Sequence, residues 1–228
     1  MIALRAASLV YSDHGKPVYA CRQIDFDVED GEYVGILGPS GSGKSSLLYL
    51  MSGLKTPTEG AVMYGNDRLD AMSEYRRAKL RLRDFGFVFQ YPYLIGYLNA
   101  LENVLVGTPG ARAAEAKKIL EALGLGPKMH RHPHELSGGE RQRVCVARAL
   151  LGGRRAIFAD EPTAALDHQN GLQVVSLLSE FRGAGSLVMV THDPSMLLGA
   201  DRIVTIEEGQ LRDESRDRDP TSRLSHGT

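Results

Sequence analysis

A short apolar run, a glycine-rich loop and a helix follow one another in residues 33–51. Tyr33–Leu37 is apolar enough for a buried strand, and residues 38–45 follow it with the pattern Gly-x-x-x-x-Gly-Lys-Ser. The residues after the loop are typical of a helix that ends near Gly53. A strand that enters a helix through such a loop needs backbone conformations that glycine adopts most easily. This segment therefore constrains the chain to an α/β fold more strongly than any other.

The loop has the pattern of a phosphate-binding P-loop. Its glycines let backbone N–H groups approach phosphate oxygens, and the helix N-terminus favours negative charge. We expect Lys44 to reach the β- and γ-phosphates and the Ser45 hydroxyl to ligate Mg²⁺. The residues predicted to bind nucleotide here are Gly38, Pro39, Ser40, Gly41, Ser42, Gly43, Lys44, Ser45 and Ser46.

Short apolar strands alternate with helices along the rest of the chain. Strands are predicted at 8–11, 19–28, 85–90, 156–160 and 186–190, and helices at 111–123, 137–151 and 172–181. This alternation predicts a P-loop α/β core with a largely parallel sheet, an N-terminal antiparallel β region and a helical subdomain. We expect one domain over residues 1–211, with the helical subdomain at about 76–150. The polar tail at 212–228 is predicted to be disordered.

Composition excludes several classes of protein. The net charge of -1 over 228 residues provides no global field for nucleic acid. The two cysteines, Cys21 and Cys145, lie in segments predicted to be core and do not form a disulfide framework. No window approaches the roughly 20 apolar residues that span a bilayer. We therefore expect a chain that is soluble by itself and that needs another protein in order to act at a membrane.

Two acidic residues follow the predicted strand at 156–160. Asp160 ends this strand, as expected for a carboxylate that holds Mg²⁺ through water. Glu161 comes next and points away from Asp160 if the strand geometry persists, which suits a residue that polarises the attacking water. An Asp-Glu-Pro sequence alone is more typical of a turn, and the P-loop is what favours the catalytic interpretation.

A second glycine-rich helix start lies at residues 136–140, Leu-Ser-Gly-Gly-Glu. Ser137 and Glu140 have the spacing of a capping box, so a well-capped helix alone accounts for the pattern. The same arrangement also suits a phosphate, because Ser137, Gly138 and Gly139 open the helix. One P-loop already serves one nucleotide, and this second helix start therefore needs another explanation.

Taken together, these motifs resemble the ATP-binding subunits of ABC transporters over about residues 2–211. The P-loop and residues 136–140 are similar to that family's phosphate loop and signature motif. Four further positions match in the right order, although each would be weak alone. They are Tyr11, Gln90, the dimer-contacting loop 165–167 with Asp167, and His192.

The resemblance implies an ATPase that uses ATP and Mg²⁺. It implies that Tyr11 stacks on adenine, that Gln90 serves the catalytic and Mg²⁺ sites, and that His192 contacts the γ-phosphate. It further implies a head-to-tail dimer with two ATP molecules between the chains. Each ATP would lie between one chain's P-loop and residues 137–139 of the other, near its Asp167.

The implied partners are a second ATPase subunit, expected to be a second copy, and a membrane permease. We expect no nucleic acid, and a location on the inner face of the cell membrane through the permease. Residues 74–90 and 100–104 look most like the lipoprotein-releasing and macrolide or peptide efflux branch. The alternative is a soluble ABC ATPase that acts on nucleic acid or ribosomes, although such proteins usually fuse two ATPase units.

Some features depart from the family pattern or suggest other sites. Ala164 stands where many relatives have Ser or Gly. Gly96 stands where many relatives have Pro. Alternating histidines precede the signature, and Pro133 among them favours a structural loop over a metal site. A basic run is interpreted as a solvated or permease-facing surface. These residues are His130, His132 and His134, and Arg76, Arg77, Lys79, Arg81 and Arg83.

Overall fold

The computed structural model describes residues 1–215, without the side chains of Phe181 and residues 213–215. The chain divides into two compact units. The first unit contains residues 1–77 and the described residues from Val188 onward, and the second contains residues 78–187. Each half of the predicted nucleotide machinery can therefore be described within its own unit.

The elements are as follows in chain order. The strands are β1 (Ile2–Asp13), β2 (Lys16–Val28), β3 (Tyr33–Leu37), β4 (Glu59–Tyr64), β5 (Asp67–Arg68), β6 (Phe85–Val88), β7 (Ala156–Asp160), β8 (Ser186–Thr191), β9 (Arg202–Glu207) and β10 (Gln210–Ser215). The helices are α1 (Lys44–Met51), α2 (Glu74–Asp84), α3 (Ala100–Leu105), α4 (Ala113–Ala122), α5 (Gly138–Leu150) and α6 (His168–Phe181). Single 3₁₀ turns occur at Gly126–Lys128, Pro133–Glu135 and Pro194–Leu197.

An antiparallel sheet forms the N-terminal part of the first unit, in the order β2-β1-β4-β5. β1 pairs with both β2 and β4, and Ile2 faces Val28 on one side and Tyr64 on the other. Strand β2 alternates because Ile24 and Phe26 are buried while Asp25 between them is exposed. Period-two burial of this kind is typical of a sheet with one face on a core. The predicted antiparallel β region is confirmed.

The strand that precedes the P-loop lies among the central strands of the first unit. The order there is β10-β9-β3-β8; β3 is parallel to β9, and β10 is antiparallel to β9. Four of the five β3 residues are buried, as in parallel sheets covered on both faces. The Tyr33 amide donates to Asp201 Oδ2 at 2.8 Å, and the Tyr33 hydroxyl donates to the Met196 carbonyl at 3.4 Å. The base of the loop is therefore a firmly held strand.

In the second unit, helices pack on a pair of parallel strands. β6 runs parallel to β7, and α5 contacts β6, α3 and α4. Every residue of β7 is buried, and Val144, Cys145 and Val146 of α5 are fully buried as well. The predicted fold class, a P-loop α/β core with a mostly parallel sheet and helices, is confirmed. The subdomain bounds 76–150 stay a prediction.

Alternating apolar residues and glycines at element ends predicted most of the helices and strands. Most of the strands that the sequence pattern missed belong to hairpins. The bounds of β3 and β7 match their predictions, whereas β4, β5, β9 and β10 were not predicted. A tight turn joins β9 to β10, with Glu208 at φ 47 and Gly209 at φ 74. β10 extends through residues 212–215, which the sequence pattern assigned to the tail. The remainder of that tail, residues 216–228, lies outside the described residues.

Candidate functional site

The P-loop of the first unit joins β3 directly to α1. Lys44 begins the helix and is buried, and its Nζ donates to the carbonyls of Gly38 at 2.8 Å and Pro39 at 2.9 Å. The tip of the loop, residues 39–41, is exposed. The loop therefore folds around the lysine head group and presents its tip to solvent.

Glycine is required at two positions of this loop because the neighbouring backbone is too close for a side chain. A Cβ on Gly38 would collide with the Ile206 carbonyl, and one on Gly43 would collide with the Ala20 carbonyl. Gly43 also has φ 106, a conformation that other residues rarely adopt. The Gly209 amide donates to the Ser42 carbonyl at 3.0 Å and braces the loop from the β9–β10 turn.

The loop suits a phosphate group. Gly43 is the N-cap of α1 and makes no side-chain capping bond. The Ser42 Oγ is buried and has no hydrogen-bond partner in the structure. Buried polar atoms are normally hydrogen-bonded, and an orphaned hydroxyl at a helix N-terminus fits an anionic ligand.

Two further predicted residues of the first unit lie at exposed positions. The Tyr11 side chain is 40% exposed on β1, and Lys55 Nζ lies 6.0 Å from its ring centroid. A partly exposed aromatic ring of this kind can stack on a planar group. His192 is exposed immediately after β8, in a turn where Asp193 Oδ1 accepts the Ser195 amide at 2.9 Å. The histidine therefore projects from a capped turn and lies outside the core.

The signature segment in the second unit opens α5 with a complete capping box. The Glu140 amide donates to Ser137 Oγ at 3.2 Å, and the Ser137 amide donates to Glu140 Oε2 at 2.9 Å. Lys128 forms an ion pair with Glu140, and this bond, followed by the Ser137 amide bond, lowers the pKa of the Glu140 carboxyl. Arg141 Nη1 donates to the Leu136 carbonyl at 2.6 Å. The helix start is therefore held from several directions.

The loop at 165–167 lies against the signature. A Cβ on Gly139 would approach Leu166 Cδ2 to 2.9 Å, so glycine permits this close packing. Asp167 is the N-cap of α6 and accepts the Asn170 amide at 3.0 Å. That bond is the first cause of the lowered pKa of the Asp167 carboxyl. Asp167 thus has a structural role as a cap, in addition to the role that the resemblance implies.

The two acidic residues after β7 have different environments. Asp160 is 5% exposed and is the last residue of its strand. Glu161 has φ 46, in the left-handed region, so the strand geometry ends before it. The prediction that Glu161 points away from Asp160 assumed that the strand continues through Glu161. The strand does not continue, so a turn sets the direction of the Glu161 side chain. A bulky residue held in this strained region is often found at a functional site.

Gln90 is exposed two residues beyond β6, in a segment bound to α5. Gln142 Nε2 donates to the Phe89 carbonyl at 2.9 Å, and Arg148 donates to the carbonyls of Pro92 and Tyr93. Sequence reasoning missed Gln142, Arg148 and the ion pair of Lys128. The first two lie six residues apart on one helix, a spacing that does not by itself mark a shared face.

The histidines and the basic run make local contacts. The rings of His132 and His134 stack with centroids 5.8 Å apart, and His132 Nδ1 lies 3.4 Å from Glu135 Oε2. Within residues 1–215, no three or more His, Cys, Asp or Glu side chains form a group arranged for a metal ion. In the basic run, Arg77 pairs with Glu74 at 2.7 Å. Every helix in this part of the chain is too short or too polar to cross a bilayer.

Comparison with known proteins agrees with this geometry. The ABC transporter family matches residues 21–164. An uncharacterized ABC transporter ATP-binding protein of Methanocaldococcus jannaschii is 40% identical over 92% of this chain and 97% of its own length. The lipoprotein-releasing system ATP-binding protein LolD of Shewanella sp. (strain MR-4) is 40% identical over 93% and 95%. The macrolide export ATP-binding/permease protein MacB of Nitrosomonas europaea is 39% identical, and the chain spans 35% of its length.

A solved structure has the same fold. The dimeric ATP-binding cassette MJ0796, in a post-hydrolysis state bound to ADP and Pi, superposes with a TM-score of 0.89. It is 33% identical, and the match covers 95% of this chain and 98% of that one. The family and the ATPase activity that the sequence resemblance implied are thereby confirmed. This chain, with a phosphate loop in one unit and a capped signature helix in the other, belongs to the ABC transporter family as an ATP-hydrolysing ATP-binding cassette.

Proposed function

We propose that two copies of this cassette close around two ATP molecules and drive a membrane permease. The observation that carries the proposal is the second helix N-terminus, at Ser137. It has the form of a phosphate cradle, yet the chain already contains a complete P-loop. The dimeric state of the cassette MJ0796 supports an arrangement in which each chain provides half of the site.

The proposed sandwich has a simple electrostatic basis. The N-termini of α1 and α5 both direct partial positive charge outward, and two such ends repel each other without an anion between them. ATP between one copy's P-loop and the other copy's residues 137–139 would provide that anion. Hydrolysis and loss of phosphate would remove the bridge, so that the dimer opens.

Each proposed role matches the local chemistry of the residue. Lys44 binds the phosphates, and Tyr11 presents its partly exposed ring to adenine. Glu161 orients and polarises the attacking water, while His192 contacts the γ-phosphate. Preorganised groups of this kind act on charge that develops in the transition state.

Mg²⁺ is the proposed metal partner of the nucleotide. Its proposed ligands are the hydroxyl of Ser45, the side-chain carbonyl of Gln90 and the carboxylate of Asp160, the last through water. These are the hard oxygen donors that Mg²⁺ prefers. When bound, the ion would neutralise charge on the β- and γ-phosphate oxygens.

The proposed partner is a permease of the lipoprotein-releasing or macrolide-export type, which would hold the cassette at the inner face of the membrane. The names of the relatives LolD and MacB support this class. The second unit also exposes three tyrosines after Gln90, namely Tyr91, Tyr93 and Tyr97 at 67, 69 and 81%. Exposed aromatic groups in one segment favour a protein contact. We name residues 91–97 the tyrosine loop and propose that this loop contacts the permease.

Two substitutions test the proposed sandwich. Glu161→Gln is expected to keep ATP binding and to lower the hydrolysis rate by about two to three decades, the scale of a lost transition-state group. It should also trap an ATP-dependent dimer in size-exclusion chromatography. Ser137→Arg should abolish hydrolysis while the monomer still binds a fluorescent ATP analogue. Loss of monomer binding in Ser137→Arg, or normal hydrolysis in Glu161→Gln, would contradict the assignments.

A separate experiment tests the partner. The tagged chain is recovered from detergent-solubilised membranes of its own host, and the bound proteins are identified by mass spectrometry. A polytopic membrane protein recovered in stoichiometric amount supports the permease. Recovery of ribosomes without any polytopic protein would overturn it and favour a soluble ATPase that acts on nucleic acid.

A further inference from the structure

The guanidinium of Arg148 holds the tyrosine loop by two consecutive backbone carbonyls. Its Nη2 donates to the Pro92 carbonyl at 2.8 Å, and its Nη1 donates to the Tyr93 carbonyl at 3.1 Å. Hydrogen bonds from a charged donor are roughly twice as strong as neutral ones, and the planar guanidinium fixes the direction of both. A single side chain near the end of α5 therefore binds residues 92 and 93, and the buried Asn103 of α3 binds Ile95 further along.

The loop is strained at the residue that Arg148 holds. Tyr93 has φ 44, in the left-handed region, where a bulky residue is uncommon. Such a conformation persists only when its surroundings impose it, and Arg148 supplies two bonds that do so. Loss of the Arg148 bonds would therefore free the Tyr93 backbone to leave this conformation, while Ile95 further along the loop stays bound to Asn103.

Other side chains of the same helix bind the segment that leads into the loop. Gln142 Nε2 donates to the Phe89 carbonyl, and Cys145 Sγ lies 3.9 Å from the Phe87 carbonyl. Residues 142, 145 and 148 are three apart, so they form one row along α5. The row therefore contacts β6, the residue that follows it and the tyrosine loop in turn, and Arg148 is its member on the loop itself.

A row of aromatic rings connects the same loop to the core. From inside outward, the centroids are 5.7 Å apart for Phe158 and Phe87, 5.6 Å for Phe87 and Phe89, 5.8 Å for Phe89 and Tyr93, and 6.4 Å for Tyr93 and Tyr91. Each ring contacts the next, so a displacement of Tyr93 bears first on Phe89 and then on Phe87. Phe158 is on β7, the strand that ends in Asp160. The surface tyrosines thus lie at one end of a continuous packed row.

We propose that Arg148 is a positioning residue for ATP hydrolysis. By holding Tyr93 in its strained conformation, it fixes the position of the signature helix relative to the tyrosine loop. Ser137, at the opposite end of α5, then completes the partner's site only while the Arg148 bonds are made. The inference rests on the proposed role of Ser137 toward the nucleotide of the second copy.

The chain contains no tryptophan, so Tyr93→Trp provides a single fluorescent reporter at the loop. The reporter is placed in the Glu161→Gln background, and emission is recorded with and without ATP. We expect a change in emission when the dimer forms, and no change when Arg148→Met is added. Arg148→Lys keeps the charge and can still donate hydrogen bonds but lacks the planar fork, so it should give an intermediate response.

Hydrolysis is measured in the chain with Glu161 intact. Arg148→Met is expected to lower kcat about tenfold or more, the scale of a lost charge-assisted bond. The KM for ATP and the binding of a fluorescent ATP analogue to the monomer should stay within about twofold, because the P-loop is untouched. The matched control is Arg154→Met, which removes bonds to the Leu82 and Gly107 carbonyls away from the loop.

Each result decides between positioning and simple stabilisation. If Arg148→Met lowers kcat only in proportion to its unfolded fraction, as Arg154→Met should, Arg148 is merely structural and the inference is wrong. A parent reporter that forms the ATP-bound dimer without any change in emission also overturns it. Failure of the proposed function has a different signature, since the Glu161→Gln parent would then form no ATP-dependent dimer at all.

Discussion

Two helices of this cassette begin at glycine-rich loops of the phosphate-binding type, and their N-termini are capped differently. Helix α1 begins after Gly43, which offers no side-chain cap, and the Ser42 hydroxyl beside it has no partner in the structure. Helix α5 begins after Ser137, whose hydroxyl and partner Glu140 close a capping box. The first start is left incomplete, and the second is completed by the chain itself.

The difference indicates how each end binds. Because Gly43 provides no side-chain cap, the proposed role of the α1 start is to bind nucleotide without a second chain. The start of α5 is held by Glu140, Lys128 and the packing of Leu166 on Gly139, so it is a rigid surface with fewer groups to offer. A surface of that kind suits the completion of a site formed mainly by another molecule. This contrast between the two helix starts makes four predictions, in order of decreasing size.

The largest loss of stability is expected when a side chain is added at a tightly packed glycine of the P-loop. Gly43→Ala places a Cβ against the Ala20 carbonyl at φ 106 and should lower the free energy of unfolding by about 3 kcal/mol or more. Gly41→Ala is the matched control, because Gly41 has φ 79 but nothing within 4 Å, and it should cost about 1–2 kcal/mol. Urea unfolding followed by circular dichroism measures both. Equal losses would contradict the close approach.

The next prediction separates ATP binding by the monomer from completion of the site by the second copy. Lys44→Ala should weaken ATP binding by the monomer about 10- to 100-fold, because a charged donor to phosphate is lost. Lys128→Ala, which affects only the signature helix, should leave monomer binding unchanged and lower hydrolysis. Titration with a fluorescent ATP analogue measures binding, and phosphate release measures hydrolysis. Weaker monomer binding in Lys128→Ala would remove the distinction between the two helix starts.

The two capping boxes at Ser137 and Asn99 of the second unit allow a matched comparison of two substitutions. Ser137→Ala and Asn99→Ala each remove the N-cap hydrogen bond of a helix, and each should cost about 1 kcal/mol of stability. Only Ser137→Ala should also lower hydrolysis, since Asn99 caps α3 and has no proposed contact with nucleotide. Thermal unfolding and phosphate release are measured on the same samples. Equal hydrolysis in the two variants would reduce Ser137 to a structural cap.

The smallest effect concerns pH. Lys128 lowers the pKa of Glu140 from its ordinary 4.5, so the charged carboxylate is favoured in the folded state. The resulting stability is present above pH 4.5 and is lost as the pH falls through the lowered folded pKa. Lys128→Met should therefore cost less than about 1 kcal/mol at neutral pH, and its difference from the parent should shrink on acidification.

The control for this pH dependence is Lys118→Met on the exposed face of α4. It should show the same difference from the parent at every pH, because none of the ion pairs described above involves it. Urea unfolding at a series of pH values from neutral to acid is the measurement. A difference that grew on acidification for Lys128→Met would have the wrong sign for a lowered Glu140 pKa.

Sequence reasoning succeeded where a local rule decides the conformation. The P-loop, the start of α5 at Ser137 and the strand that ends at Asp160 were predicted because glycine, capping and apolar runs act over neighbouring residues. It failed at Glu161, whose left-handed φ ends the expected alternation. It also failed for β9 and β10, because short hairpins depend on a turn whose Glu208 has no strong sequence signal.

The amino-acid sequence by itself determined the family, the two helix starts and the residues proposed to bind phosphate, because each motif is contiguous and its chemistry is local. Only the tertiary structure decided how the signature helix is held. Lys128 lies 12 residues from Glu140 along the chain, and Arg148 lies 55 residues from the Tyr93 carbonyl it binds. Such contacts depend on how helices pack on strands, and no local pattern records which distant carbonyl a side chain will meet.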